Sequence, residues 1–214
     1  MPDRYPGYDV LAKRNTPSWN EQTRRAIDRR LAVRPNDPRF FDAHEYATVV
    51  AIAGRLVPQP AGRPAIPVAA LVDQKLHQNK SDGYRQAGMP REREAWRQGL
   101  RALDEEARAA HGAVFRELGA AEQDALLRRM QGGDLTHGAW GTIKPTVFFK
   151  QRMAHDVVLA YYSHPTAWNE IGWGGPASPR GYVRTGYDER DPWEAAEAKH
   201  GDAEAARRKN RRVG

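Results

Sequence analysis

The chain has 214 residues, 40% hydrophobic and 29% charged, with a formal net charge of +7 and no cysteine. A chain of this length can bury roughly 70% of its unfolded surface. The missing cysteines exclude disulfides, thiolate nucleophiles, cysteine-ligated zinc, iron–sulfur clusters and covalent c-type haem.

Residues Met1–Thr16 are rich in turn formers and read as an arm. "SWNEQTRRAIDRRLA" follows, in which Ser18 and Glu21 have the spacing of a capping box. Trp19, Thr23, Ile27 and Leu31 share one face and the arginines take the other, so the spacing predicts a helix ending near Pro35. "FFDAHEYATVVAIAGRLVP" repeats the signature with Asp42 and Glu45, and is the most apolar helix of the set. Its apolar run falls far short of the ~20 residues a membrane helix needs. "IPVAALVDQKLHQ" starts with Pro67, whose fixed φ suits a first helical position.

The proline-free run from Arg91 to Lys144 holds two helices. In one, Trp96, Leu100, Leu103, Ala107 and Ala110 form a stripe stopped at Gly112. In the other, Leu126, Leu127 and Met130 face inward, and paired glycines end it. Pro145 opens the last long helix, with Phe148, Arg152, His155, Leu159 and Tyr162 near one face, ending before Pro165. Asp191, Pro192 and Glu194 start a short helix that breaks at Gly201.

No strand pattern or internal repeat is present. The expected fold is all-α, an irregular bundle of about six helices with an extended N-terminal arm and a long Trp/Gly/Pro-rich C-terminal arm. The expected organisation is an arm with one helix over 1–38, a helical core over 39–162, the aromatic arm over 163–193, and a short helix with a basic tail over 194–214. "RRKNRR" at Arg207–Arg212 supplies five of the positive charges. That reads as a solvated end, with nucleic-acid binding through it as a minority alternative.

Catalytic signatures are sparse. His44-Glu45 is half of a zinc-protease helix, but Thr48 stands where the second histidine is needed. His155, Asp156 and His164 could be imagined as the ligands of an independent metal-dependent enzyme; histidines that cap or pack are the better reading. Gly172, Gly174 and Gly175 do not make a phosphate cradle, because Pro176 and Pro179 follow where a helix must open. No catalytic, cofactor-binding or metal-ligating residue is assigned.

What stands out is "YYSHPTAWNEIGWGGPASPRGY", with two Trp, three Tyr, three Pro and four Gly in 22 residues. From Ser163 to Trp193 the chain shows little regular pattern, and irregular loops longer than about 12–15 residues are uncommon in compact domains. Trp168, Trp173, Tyr182, Tyr187 and Trp193 argue against disorder. Either the arm folds over its own helices, or it lies along a second protein, where buried Trp, Tyr and Arg dominate binding energy. The residues alone leave both open.

These residues also carry a resemblance. "PGYDVLAKRNTPSWNEQTRRAIDRRLA", "FFDAHEYATVVAIAGRLVPQP", "IPVAALVDQKL" and above all "YYSHPTAWNEIGWGGPASPRGYVR" resemble the small subunit (subunit 3) of gluconate 2-dehydrogenase, over most of Pro6 to Arg184. The resemblance implies a non-catalytic accessory subunit with no cofactor of its own. Its partner would be an FAD-dependent large subunit of the glucose–methanol–choline type, which oxidises the sugar or polyol, and a cytochrome c subunit often joins the complex. The implied work is binding the flavoprotein and assisting its maturation. The partner interface is then expected at His164, Pro165, Trp168, Asn169, Gly172, Trp173, Gly174, Gly175, Pro176, Arg180, Gly181 and Tyr182. Many members begin with a twin-arginine signal. The N-terminus here shows neither that nor an apolar h-region, which points to the cytoplasm; export with a signal-bearing partner would place the chain in the periplasm.

Overall fold

A computed structural model describes residues 3–35, 38–61, 63–79, 83, 87–176 and 193–212. Regular structure among them is helical: α1 Glu21–Leu31, α2 Ala43–Leu56, α3 Val68–His77, α4 Glu92–His111, α5 Ala120–Gly132, α6 Pro145–Phe148, α7 Ala154–Ser163, α8 Pro165–Ile171 and α9 Ala203–Asn210. None of the described helices is long and apolar enough to cross a membrane. The chain divides into two compact units, one formed by Arg34–Tyr161 and the other by Met1–Val33 with Tyr162–Gly214.

In the unit Arg34–Tyr161, local signals set most helix ends. The Asp42 carboxylate accepts the Glu45 N–H at 2.7 Å and Glu45 accepts the Asp42 N–H at 3.1 Å, completing the expected capping box. Gly112 and Gly133 terminate α4 and α5 in left-handed conformations. Pro67 stands one residue ahead of α3 rather than within it. Leu126, Leu127 and Met130 are buried as expected, and so are Trp96, Leu100, Leu103 and Ala107, while Ala110 is exposed.

An aromatic chain runs through this core. Phe40, Phe41, Trp96 and Phe148 meet edge to face with successive centroids 4.9, 5.8 and 5.7 Å apart. Gly99 lets it close, since a Cβ there would lie 2.2 Å from the Phe148 ring. Asp73 fastens the entry to α2 by accepting the N–H groups of Arg39, Phe40 and Phe41 at 2.8–3.0 Å. Three backbone donors that no helix satisfies are thereby paired.

The helix expected from Pro145 onward is not uniform. Phe149–Met153 winds as a π-helix between α6 and α7. A π-turn holds an extra residue, so every later side chain rotates relative to the straight-helix projection. Phe148 and Arg152 face inward as the spacing implies. Beyond the turn the buried positions are Asp156, Val157, Ala160 and Tyr161, whereas His155, Leu159 and Tyr162 are exposed, Leu159 at 51%. The single face expected for Phe148, Arg152, His155, Leu159 and Tyr162 is thus split after Met153, its first two members buried and its last three exposed.

The unit built from the two ends of the chain has its own core of Tyr8, Val10, Trp19, Ile27 and Trp168, with Tyr5, Leu11, Leu31 and Ala195 packed against it. The N-terminal segment is therefore more than an arm. A 3-10 helix, Val10–Asn15, leads into α1. The cap of α1 is Asn20, whose Oδ1 accepts the Thr23 N–H at 2.9 Å, not Ser18. Trp19 sits before the helix because its ring is buried in the core, and α1 ends at Leu31, short of Pro35.

The C-terminal expectation also changes. Asp191 and Pro192 lie outside the described residues, and the stretch from Glu194 to Ala198 is not helical. Gly201 precedes the last helix instead of ending it, and Asp202 caps α9 by accepting the Ala205 N–H at 2.9 Å. Most of the basic tail is α9. Asn210 in it is buried, accepts the Ala196 N–H at 2.7 Å, and donates to the carbonyls of Ala196 and Pro6 at 2.9 and 3.0 Å. Ala198 N–H donates to the Arg4 carbonyl at 2.9 Å, so both chain ends are stitched together.

Candidate functional site

The aromatic stretch begins with regular structure rather than an irregular arm. His164 closes one helix and opens the next. Its Nδ1 accepts the Thr166 N–H at 3.4 Å, and Pro165 takes the first position of α8, where its missing N–H costs nothing. His164 is buried, and desolvation, aided by the nearby Arg30 charge, pushes its pKa below the ordinary histidine range.

α8 then sorts its residues by face. Trp168 is 1% exposed, seated in the core of its own unit, with its indole N–H donating to the Tyr162 carbonyl at 2.7 Å. Asn169 accepts the Val10 N–H at 2.8 Å, binding the helix to the N-terminal segment. Ile171, at 48%, faces out. Gly172 ends α8 at φ +66, and a Cβ there would also strike the Tyr5 ring at 2.6 Å, so both conformation and space require glycine.

Beyond Gly172 the chain turns back over Trp168. Trp173 sets its ring edge to face with Trp168 at 4.5 Å and is 39% exposed. The Gly174 carbonyl accepts Lys13 Nζ at 3.2 Å, and Lys13 is fully buried beside the Tyr8 ring. Gly175 brings its backbone against Trp168 and Trp19, and Pro176 lines a groove with residues of α1. Arg180, Gly181 and Tyr182, as well as Tyr187, lie outside the described residues.

His164, Pro165, Trp168, Asn169, Gly172, Trp173, Gly174, Gly175 and Pro176 are thus brought into one neighbourhood, but they do not share one role. Trp168, Asn169, Gly174 and Gly175 hold the segment onto its own unit. Ile171 and Trp173 carry the apolar surface that faces solvent. The sequence reading misses Tyr5, Tyr8, Lys13 and Arg30, which complete this neighbourhood from the other end of the chain. Nothing in the local pattern marks Lys13 as buried or Arg30 as lying over the Trp168 ring, 5.9 Å from its centroid. Only their distant neighbours distinguish them from solvated charges.

The residues considered for metal chemistry are committed elsewhere. Asp156, buried, accepts Trp96 Nε1–H at 2.7 Å on one oxygen, while the other lies 2.8 Å from Lys75 Nζ and 3.2 Å from His155 Nδ1. His44 Nε2 sits 2.6 Å from Asp104 Oδ2, and Asp104 also accepts the Phe115 N–H at 3.0 Å. Among the described residues no group of three or more His, Asp and Glu side chains is placed to hold a metal ion.

A family model described as gluconate 2-dehydrogenase subunit 3 matches residues 43–175. The match spans α2 through Gly175, including all of α8 and both Trp168 and Trp173. No curated protein and no solved structure matches the chain.

Proposed function

This chain belongs to the gluconate 2-dehydrogenase subunit 3 family, and from that membership we propose that it is the non-catalytic small subunit of a flavin-dependent sugar dehydrogenase complex. It binds an FAD-containing catalytic subunit of the glucose–methanol–choline type, stabilises it and assists its maturation. FAD resides in that partner, and a cytochrome c subunit completes the electron path. The chain works in whichever compartment its partner reaches, the periplasm if the partner carries an export signal.

One observation supports the reading beyond membership itself. Trp173 and Ile171 remain open to solvent although the fold has a core immediately behind them, in Trp168, to receive apolar rings. An indole held edge-on by a buried neighbour loses little side-chain entropy on docking, which is what favours Trp as an interface anchor.

The test is co-expression of this chain with a flavoprotein of that type encoded beside it, purified through a tag on the flavoprotein. The expected result is co-purification in fixed ratio, with the flavoprotein's soluble yield and bound FAD falling when this chain is omitted. A flavoprotein that folds, loads FAD and elutes identically without this chain would overturn the reading.

A further inference from the structure

α1 presents an open groove of about 320 Å³, lined by Asn20, Gln22, Thr23, Ala26 and Arg30 together with Pro176. Its charge is unbalanced. Arg25 pairs with Glu21 and Arg14 with Asp28, and Arg24 donates to the Trp19 carbonyl at 2.7 Å. Among the described residues Arg30 meets a neutral acceptor, the Ser163 carbonyl at 3.1 Å, and the Trp168 ring beneath it. No carboxylate among the described residues pairs with it. Desolvation and the neighbouring Arg29 lower its pKa, yet a guanidinium stays charged at neutral pH. Arg30 is exposed at the groove's edge, and a guanidinium there without a counter-charge can take a carboxylate in a charge-assisted, bidentate pair.

The surroundings restrict what that carboxylate belongs to. The volume is at the small end for binding pockets and suits one or two side chains. Gln22 and Thr23 place polar side chains along the groove. Arg30 lies on Trp168, and Trp168 supports Trp173, so groove and exposed indole adjoin across one ring. Nucleic acid is a poor fit, because its affinity comes from many neutralised phosphates and this groove holds a single unpaired guanidinium.

We propose that the α1 groove receives an extended acidic segment of the partner subunit, with one of its carboxylates paired to Arg30. This rests on the small-subunit reading above and names the chemistry of the contact. The segment enters beside Trp173, so the apolar and ionic contacts form one continuous surface.

The experiment measures the dissociation constant between this chain and the co-expressed flavoprotein as ionic strength is raised from about 50 to about 500 mM, where screening becomes strong. Arg30→Glu should weaken binding by about 30-fold at low salt, and Arg30→Gln should flatten the salt dependence, with Arg30→Lys recovering part of both. Ala26→Trp fills the groove without changing charge and should weaken binding to a similar degree. Arg128→Gln, an exposed cation on α5, should bind as the parent chain does. Far-ultraviolet melts confirm that each variant is folded.

If the parent complex forms and both Arg30→Glu and Ala26→Trp bind within twofold of it, the groove assignment is overturned while the small-subunit reading stands. If the parent chain forms no complex, both fall. If a labelled single-stranded DNA binds the chain, competes with the flavoprotein and is lost in Arg30→Glu, the groove belongs to a phosphate ligand and the acidic-segment proposal is overturned.

Discussion

Trp168 and Trp173 meet edge to face at 4.5 Å, yet one ring is buried in the core and the other is open to solvent. Five residues apart in a stretch of uniform composition, they do different work. Trp168→Ala should destabilise the chain by about 3–5 kcal/mol, as expected for emptying an indole site in a core. Trp173→Ala should cost less than about 1 kcal/mol in stability but reduce co-purification with the flavoprotein several-fold. Urea unfolding of both variants beside a pull-down separates the two effects. Equal losses of stability would contradict the division.

His164 gives the fold a pH dependence whose sign follows from its surroundings. Burial and Arg30 depress its pKa below the ordinary histidine value of about 6.5. The unfolded chain therefore binds a proton more readily than the native one. The stability contributed is fully present above about pH 6.5 and is lost as pH falls through the depressed folded value. Melting temperature should drop on acidification below that point. His164→Asn retains a capping side chain for α8 without a titrating group, and should flatten that part of the profile. An unchanged slope in this variant would assign the acid sensitivity to other groups.

Asp156 is buried and held by three donors, one of which, Lys75, also pairs with Glu92 at 2.8 Å. Removing the carboxylate leaves the Trp96 indole N–H without an acceptor and Lys75 short of one counter-charge. Asp156→Ala should cost about 2–3 kcal/mol, since the buried Trp96 N–H is left unsatisfied while Lys75 keeps Glu92. Asp156→Asn, which keeps an acceptor for Trp96, should cost distinctly less. Thermal unfolding of the pair checks the order. A stoichiometric metal lost with either variant would reopen the metal-enzyme reading.

The basic tail carries a structural claim of its own. Asn210 makes three hydrogen bonds from a buried position, one of them to Pro6 near the opposite terminus. Asn210→Ala should lower stability by about 2–3 kcal/mol by leaving backbone groups unpaired. Arg211→Gln with Arg212→Gln, which removes nearby exposed charge, should be close to neutral. Chemical denaturation compares them. A larger loss from the charge pair than from Asn210 would mean that the tail acts through its arginines.

Where the sequence alone succeeds, the determinants are local. The Asp42–Glu45 box, the glycine ends after His111 and Gly132, and the stripe Trp96, Leu100, Leu103, Ala107 each follow from residues within a turn or two of one another. An all-helical chain and its family could be read from such pieces. Asn20 taking the cap expected of Ser18 is a smaller failure of the same kind. Asn20 lies two residues beyond Ser18, and the burial of Trp19 between them leaves the helix to start after it.

The amino-acid order by itself determined that this chain folds into helices, where most of them begin and end, and which stretch was unlike the rest. Tertiary structure decided which way those residues point. The π-turn at Phe149–Met153 splits the face expected to continue into α7, and no periodicity reveals it, because the added residue is accommodated by packing around Phe148 and Met153. Trp168 turns inward only because Val10, Trp19 and Ile27 are waiting there, brought by a segment about 150 residues earlier. Helix formation is governed by neighbours in the chain, whereas burial is governed by neighbours in space, and for the two ends of this protein those neighbours are on opposite sides of the sequence.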